Sequence, residues 1–283
     1  MKMRTLFFAV TTVAAAMGNA AAADLLMPPE VIEPPMMEPH TMSGWYLRGD
    51  IGASLKSNGT GEWDFWNQFV GVQGIDDTYR FDSLDIKTGI PVGIGVGYRV
   101  NDALRLDATL DYMKPKVFGQ TECPLMIKSD AAHGLPFPSD CHYDLNSSAT
   151  MWTALANAYV DIPVGDGPLK PYLGAGVGFA HVKYDDFDFQ EVCPGCSASY
   201  TRYHANNEGV ASTRLATALM AGVSYDVSDR ITLDTSYRFL HVNGGDMYKY
   251  DAPDTANGAS GVQARDNGFN MHQVRAGLRV NFN

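Results

Sequence analysis

The sequence predicts an all-β fold: an eight-stranded antiparallel transmembrane β-barrel with short periplasmic turns and four long extracellular loops. Apolar and polar side chains alternate in eight stretches, as they do along strands whose two faces meet different surroundings. In several stretches the polar face is ionic and the apolar face ends in an aromatic residue, which is typical of a barrel with a lipid-facing outside and a polar lumen. The connections between the stretches alternate between short and long, as in outer-membrane barrels.

The last stretch, residues 272–282, shows the alternation most clearly. One face carries His272, Val274, Ala276, Leu278, Val280 and Phe282, and the other carries Gln273, Arg275, Gly277, Arg279 and Asn281. We expect this strand to pair with the first and to close the barrel. Closure is required in a bilayer because unpaired backbone groups find no water there.

The predicted strands are residues 44–54, 87–98, 103–112, 150–162, 169–183, 213–226, 231–240 and 272–282. In the first strand, apolar residues from Trp45 to Ala53 face outward and Arg48 faces inward. The second has an outward row from Ile90 to Tyr98, and its inward row is mostly glycine. Its strict spacing of two, with no helix following, argues against a dinucleotide loop. Glycines in a small barrel leave room for long side chains from other strands.

The later strands repeat the pattern with varying clarity. The third alternates leucines with Arg105, Asp107 and Asp111, whereas the fourth, mostly alanine on its outward face, is the least regular. The fifth again has inward glycines, and the sixth and seventh have outward rows that end in tyrosine or phenylalanine. The aromatic residues near strand ends fit the girdle that lies at a membrane interface.

The N-terminal region predicts export. Residues 1–23 form a signal peptide, with Lys2 and Arg4 before a short apolar core and a run of alanines at the cleavage region. Residues 24–43 form a proline-rich periplasmic linker, and residues 44–283 form the barrel. No later apolar run reaches the roughly 18 residues that a spanning helix needs. The net charge of −11 argues against nucleic acid as a partner.

The inward faces define a charged lumen. Seven predicted inward cations oppose six predicted inward anions: Arg48, Arg105, Lys170, Arg214, Arg238, Arg275 and Arg279 against Asp50, Asp107, Asp111, Asp161, Asp226 and Asp234. Buried charges need partners, so we expect a lumen filled with ion pairs and water. A narrow conducting pore is the alternative, although eight strands leave an interior that side chains can fill.

Four cysteines lie in two of the long loops, Cys123 and Cys141 in the second and Cys193 and Cys196 in the third. In an exported protein they predict two disulfides with three possible connectivities, of which pairing within each loop is the simplest. The Cys-Pro-Gly-Cys spacing could be a redox motif, but no helix start accompanies it. Zinc binding with His133, His142 or His204 is the remaining alternative; we predict neither a metal nor a cofactor.

Two loops carry further clusters. The first holds Trp63, Phe65, Trp66 and Phe69, which could bind a ligand but are better explained by packing against neighbouring loops. The third holds Asp185, Asp186, Asp188 and Glu191, which could hold divalent cations or form a solvated acidic surface. His241 near Asp246 is the best candidate for catalysis, but no serine accompanies them, so we predict that the protein is not an enzyme.

Four short stretches carry a family resemblance: residues 44–49 (GWYLRG), 170–176 (KPYLGAG), 237–239 (YRF) and 274–279 (VRAGLR). In order and spacing they resemble the small outer-membrane barrels of alphaproteobacteria, a porin-like family that includes immunogenic surface proteins. The resemblance implies residence in the outer membrane of a Gram-negative bacterium, with lipid and lipopolysaccharide as surroundings. It also implies insertion by the barrel-assembly machinery.

The resulting hypothesis is a structural, surface-exposed barrel that contributes to envelope integrity. The alternative hypothesis is a transport protein, either a narrow porin or a receptor whose loops bind a ligand such as haem.

Overall fold

The computed structural model describes residues 44–67, 74–128, 140–165, 167–196 and 201–282. The predicted signal peptide and linker lie outside these residues. Fourteen strands and two short helices form in the order β1 (Gly44–Ser54), β2 (Ser57–Asn67), β3 (Gly74–Arg80), β4 (Ser83–Ile86), β5 (Val92–Arg99), β6 (Leu104–Met113), β7 (Lys116–Glu122), α1 (Leu125–Lys128), β8 (His142–Asp161), β9 (Leu169–Tyr184), β10 (Phe187–Val192), β11 (His204–Asn207), β12 (Ala211–Asp226), β13 (Ile231–Lys249), α2 (Ala252–Ala256) and β14 (Val262–Phe282). Neither helix is long and apolar enough to cross a membrane.

Eight of these strands close a ring, which confirms the predicted fold class. The antiparallel order is β1-β5-β6-β8-β9-β12-β13-β14, and β14 returns to β1. The closing ladder runs from Trp45 opposite Phe282 to Ser54 opposite Gln273. The last strand therefore pairs with the first, as the alternation predicted.

The two faces of the ring differ as the sequence indicated. Along β14, Leu278 is 43% exposed whereas the next residue, Arg279, is 1% exposed. The same alternation of exposed apolar and buried polar residues holds on β1 and β6. The three short turns, residues 100–103, 162–168 and 227–230, lie at the same end of the ring as Gly44 and Phe282.

Where the structure describes them, the four long connections are built mainly of strands, although the sequence predicted no strand in them. Above the first ring, the order β2-β4-β7-β8-β10-β11 continues the wall, and β14 pairs with both β13 and β2. The main-chain amide of Lys249 donates to the oxygen of Glu208 at 3.0 Å, which joins β13 to the end of β11. We call this continuation the outer tier.

The outer tier reverses the polarity of the first ring. Its interior holds fully buried apolar side chains, including Leu145, Phe187, Leu240, Met247 and Met271. Its outward residues are mainly polar, so the wall there is built to face water. Because of this reversal, these segments carry no outward apolar row, which is the pattern that predicts a lipid-facing barrel strand.

An arginine on the lipid-facing surface should destabilise the barrel, whereas an arginine on the outer tier should not. Leu278 lies at the centre of the outward apolar row of β14, and Thr60 is an exposed residue of β2 in the outer tier. We expect Leu278→Arg to cost about 2–4 kcal/mol of unfolding free energy in lipid vesicles, since the guanidinium would lie in hydrocarbon.

The matched control is Thr60→Arg, which adds the same side chain above the lipid and should cost less than about 0.5 kcal/mol. Denaturant titration followed by tryptophan fluorescence measures both variants. Equal destabilisation of the two would show that the lipid-facing band has been placed wrongly.

Candidate functional site: a charged lumen below an apolar core

The lumen is lined by charged side chains from all eight strands of the ring, and its centre is a network around Arg48. This guanidinium donates to Asp50 at 2.7 Å on its own strand and to Asp107 at 2.9 Å on β6. Asp107 also accepts hydrogen bonds from Tyr46 at 3.1 Å and from the side-chain amide of Asn157 at 2.7 Å. Side chains of three strands, β1, β6 and β8, thus converge on one carboxylate in the lumen.

A second carboxylate, Asp111, pairs with two arginines at once. Arg238 on β13 and Arg275 on β14 each approach one of its oxygens at 2.5 Å. Arg275 also lies 3.8 Å from Asp50, which connects this group to the Arg48 network. The side chains in this chain of contacts are at most 6% exposed, so their charges are compensated by one another and not by bulk water.

The periplasmic half of the lumen has two further pairs. Arg105 donates to Asp161 at 3.0 Å, and Arg279 lies 3.1 Å from Asp234. The guanidinium of Arg105 is also 4.3 Å from the ring centres of both Tyr159 and Tyr172. These cation–π contacts stabilise a charge that is completely buried.

The remaining predicted lumen residues lie at the two ends of the network. Lys170 and Asp226 pair at 2.8 Å at the periplasmic rim, where both side chains are only partly buried. Arg214 pairs at 2.7 Å with Asp266, a residue that lies outside the eight predicted strands. Arg99, one residue beyond the predicted second strand, is also buried.

Inward glycines allow tyrosine rings to lie against the lumen wall. A Cβ atom at Gly97 would lie 2.2 Å from the ring of Tyr46, and one at Gly174 would lie 2.4 Å from the ring of Tyr159. Real Cβ contacts are never this short, so a side chain at either position would push the ring into the network. The glycines therefore make room for filling groups and do not line an open channel.

The disulfides follow the simplest pairing. Cys123 is bonded to Cys141, and Cys193 is bonded to Cys196. The bonds use the thiolates that the zinc alternative required. Glu191 is 1% exposed, and one of its carboxylate oxygens lies beside the Cys123–Cys141 bond. Its other oxygen accepts a hydrogen bond from the main-chain amide of Tyr203 at 2.8 Å.

The aromatic cluster of the first loop packs inward where it is described. Trp63 is 5% exposed, stacks on Tyr79 at 5.4 Å and donates its indole hydrogen to Thr121 at 3.0 Å. Trp66 packs edge-on against Tyr250 at 5.9 Å. Phe69 and His133 lie outside the described residues.

Asp185, Asp186 and Asp188 of the third loop each contact a different residue, and so do the two members of the candidate catalytic pair. Asp185 pairs with Lys114 at 3.1 Å, and Asp188 lies 2.6 Å from His204. Asp186 accepts the amide of Gly209 at 3.2 Å. His241 is hydrogen-bonded to Asn270 at 2.7 Å, whereas Asp246 pairs with Arg265 at 3.0 Å.

Titration of outer-tier groups follows from these contacts. Hydrogen bonds from Lys56 and Lys87 lower the pKa of Asp85, and a hydrogen bond from Ser148 lowers that of Asp185. Burial, with nearby Asp64, raises the pKa of Tyr250 to about 12. Burial and its hydrogen bond to Asp251 raise the pKa of Tyr203. These tyrosines remain neutral at physiological pH.

Comparison with known proteins decides the family. Residues 7–282 match the family described as "Outer membrane protein beta-barrel domain". The chain belongs to this family. An uncharacterized protein of Brucella melitensis, an alphaproteobacterium, is 51% identical over 273 residues, which cover 93% of each chain.

Two further similarities are more distant. Outer membrane protein PagN of Salmonella typhimurium is 25% identical over 231 residues, covering 74% of this chain and 83% of PagN. The crystal structure of OprG, an outer membrane protein of Pseudomonas aeruginosa, aligns with a TM-score of 0.48 and 12% identity, covering 86% of this chain and 97% of OprG.

Membership in this outer-membrane family fixes where the barrel resides. It lies in the outer membrane of a Gram-negative bacterium, so lipid surrounds the exposed apolar rows of the first ring. The outer tier and the disulfides lie on the extracellular side, and the three short turns lie in the periplasm.

Asp266 is, besides Arg99, a lumen residue that the alternation did not predict. Inward residues of β14 alternate regularly from Met271 to Arg279, but Asp266 lies on the opposite parity. The ladder to β2 shifts register between Asp266 and Phe269, and Gly268 between them has a φ of 92°. Gly268 was the signal in the sequence for this shift. Glycine adopts a positive φ without strain, so it is a common site for a bulge that changes which residues face inward.

Removing the charge of Asp111 should be far more costly than removing that of Asp226. Asp111→Asn would leave two buried guanidinium groups without their common anion, and we expect a loss of about 3–5 kcal/mol in unfolding free energy. Asp226→Asn at the partly exposed rim is the control, with an expected loss below about 1 kcal/mol. Urea titration in lipid vesicles measures both; similar losses would show that the central charges are solvated.

The two disulfides should stabilise the outer tier unequally. Their sequence separations are 18 for Cys123–Cys141 and 3 for Cys193–Cys196. Loop-closure entropy predicts about 3 kcal/mol for the longer loop and about 2 kcal/mol for the shorter. Hydrogen exchange in β7 should increase more in Cys123→Ser/Cys141→Ser than in Cys193→Ser/Cys196→Ser. The reverse order would contradict this account.

Proposed function

We propose that this outer-membrane barrel has a structural role, contributing to envelope integrity, and that its lumen is closed to solutes. The observation that carries the proposal is the filling of the interior at two heights. Ion pairs occupy the lumen at bilayer height, and apolar side chains occupy the outer tier above them.

The ionic layer supports closure because its charges are fixed by several partners each. Displacing Arg275 would separate it from Asp111 and from Asp50. Leaving a buried charge alone costs several kcal/mol, so thermal opening of this layer would be rare. Mobile water and ions would find little space there.

The apolar layer supports closure by a different mechanism. The rings of Phe187 and Tyr248 meet at 4.8 Å, and Phe189 contacts the same tyrosine at 5.1 Å. A hydrated ion that entered this layer would lose part of its hydration shell and would find no polar groups to replace the lost water. The two layers act in series, so either one would block the path.

The proposed role is non-catalytic. His241 and Asp246, the candidate pair, are each engaged by another residue, Asn270 and Arg265 respectively. The partners that we propose are the barrel-assembly machinery during insertion and lipopolysaccharide in the mature membrane. The narrow channel and the ligand-binding loop remain the competing functions, and inward packing of Trp63 weighs against the second.

Planar-bilayer conductance separates the closed barrel from the channel. We expect the purified protein to give no steady current. Arg275→Ala/Arg279→Ala should remain closed because the apolar layer still blocks the path, and Phe187→Ala/Tyr248→Ala should remain closed because the ionic layer does. Only the quadruple variant should conduct, with at least about tenfold more open-channel events than either double variant.

The heat-dependent shift in gel mobility serves as the control for folding, since a closed barrel resists sodium dodecyl sulfate until heated. Large and reproducible current steps from the unaltered protein would overturn the closed-barrel proposal and favour the porin function. Current from the Arg275→Ala/Arg279→Ala variant alone would show that the apolar layer does not seal.

A further inference from the structure

Five of the eight lysines in the described residues lie on one arc of the outer surface: Lys56, Lys87, Lys114, Lys116 and Lys183. We call this set the lysine arc. It extends from the β1–β2 junction across the β4–β5 and β6–β7 junctions to the end of β9. The remaining three are Lys128 and Lys249 in the outer tier and Lys170 at the periplasmic rim.

The lysine arc begins where the lipid-facing band ends. Lys56 follows the exposed Leu55, Lys87 precedes the exposed Ile90, and Lys183 lies two outward positions beyond Phe179. Aromatic residues of the girdle lie directly beneath Lys114, where Tyr112 and Trp152 are in ring contact at 4.8 Å. The ammonium groups therefore lie at the extracellular boundary between hydrocarbon and headgroups.

Backbone pairing makes the lysine arc continuous. The amide of Lys87 donates to the oxygen of Lys116 at 2.9 Å, and Lys116 is in register with Ser148. The amide of Asp185 donates to the oxygen of Ser148 at 2.8 Å, which brings Lys114 and Lys183 to the same place. Lys87 also lies over the ring of Phe118 at 5.0 Å, which orients its ammonium group along the outer wall.

The lysine arc is positively charged in a protein whose net charge is −11. Asp85 bridges Lys56 and Lys87 at 2.8 and 3.3 Å, and Asp185 pairs with Lys114 at 3.1 Å. Five lysines and these two aspartates leave a net charge of +3. Within the described residues, Lys116 and Lys183 have no carboxylate at ion-pair distance.

In the described part of the chain, the other side of the barrel has no lysine at this height. Beyond the outward apolar rows of β12, β13 and β14, the corresponding outward positions are Thr213, His241 and His272. Among the residues that the structure describes, the lysines at this height are therefore confined to one arc. Lysines that served only to keep the barrel wetted at the membrane boundary would be expected all round it. Their concentration on one side instead fits the binding of an anionic ligand there.

We propose that the lysine arc binds the phosphate groups of the phosphorylated glycolipid of the outer leaflet, lipopolysaccharide. The position of the lysine arc at the membrane boundary favours a lipid as the ligand, because the headgroups of the adjacent leaflet are concentrated there. The charge selects phosphate, which lysine binds as a compact point charge. The proposal deepens the structural role proposed above, since it names the lipid that this side of the barrel would hold.

The test uses the full-length mature protein in nanodiscs of zwitterionic phospholipid, titrated with diphosphorylated lipid A and analysed by native mass spectrometry. Lys116→Gln/Lys183→Gln should weaken binding about 30-fold. Each lysine near a membrane surface contributes about a factor of five in affinity, and the two factors multiply. Lys128→Gln/Lys249→Gln removes the same charge from the outer tier and should change binding less than about twofold. Dephosphorylated lipid A should not bind to the arc.

Three results would overturn the proposal: equal weakening by both double variants, undiminished binding of dephosphorylated lipid A, or displacement by inorganic phosphate at equal concentration. The last would indicate a site for free phosphate. If the arc variant fails the heat-shift control for folding, the comparison of phosphorylated with dephosphorylated lipid A on the unaltered protein decides. Conductance is expected to be unchanged, so failure here is distinguishable from failure of the closed-barrel proposal.

Discussion

Closure of the sheet in a solvent that cannot hydrogen-bond is the constraint on which the rest of the molecule depends. Every backbone amide and carbonyl at bilayer height must find a partner in a neighbouring strand, and the β1–β14 ladder supplies the last set. With eight strands, closure leaves an interior only wide enough for side chains. The arginines, aspartates and tyrosines of the lumen are the groups that fill it, and the inward glycines set how they fit.

The outer tier shows what the same wall becomes in water. Its strands continue the ring without lipid outside, so the apolar side chains that would face hydrocarbon below face inward instead. Leu240 and Met271, opposite each other on β13 and β14, are buried above the ion pairs of Arg238 and Arg275. The interior therefore changes from ionic to apolar within single strands, over one or two inward-facing positions.

The sequence was sufficient for the first ring because period-two alternation with outward apolar residues is a long-range signal repeated in every strand. It was insufficient for the outer tier, where short strands such as β4 and β11 have four residues each and carry no outward apolar row. Asp266 was missed for a local reason, since the bulge at Gly268 shifts the parity of β14. Ion pairing between particular residues also depends on which strands are neighbours, and alternation alone contains no such information.

Three strands, β8, β13 and β14, cross from the first ring into the outer tier without interruption and have 20, 19 and 21 residues. About ten residues of each suffice to span the bilayer, so roughly 30 Å of strand stands beyond it. The outer-tier ends of these strands therefore stand well clear of the bilayer surface. A macromolecule approaching the cell from outside would meet these strand ends before it reached the membrane-embedded wall, because they are the described part of the structure farthest from the bilayer.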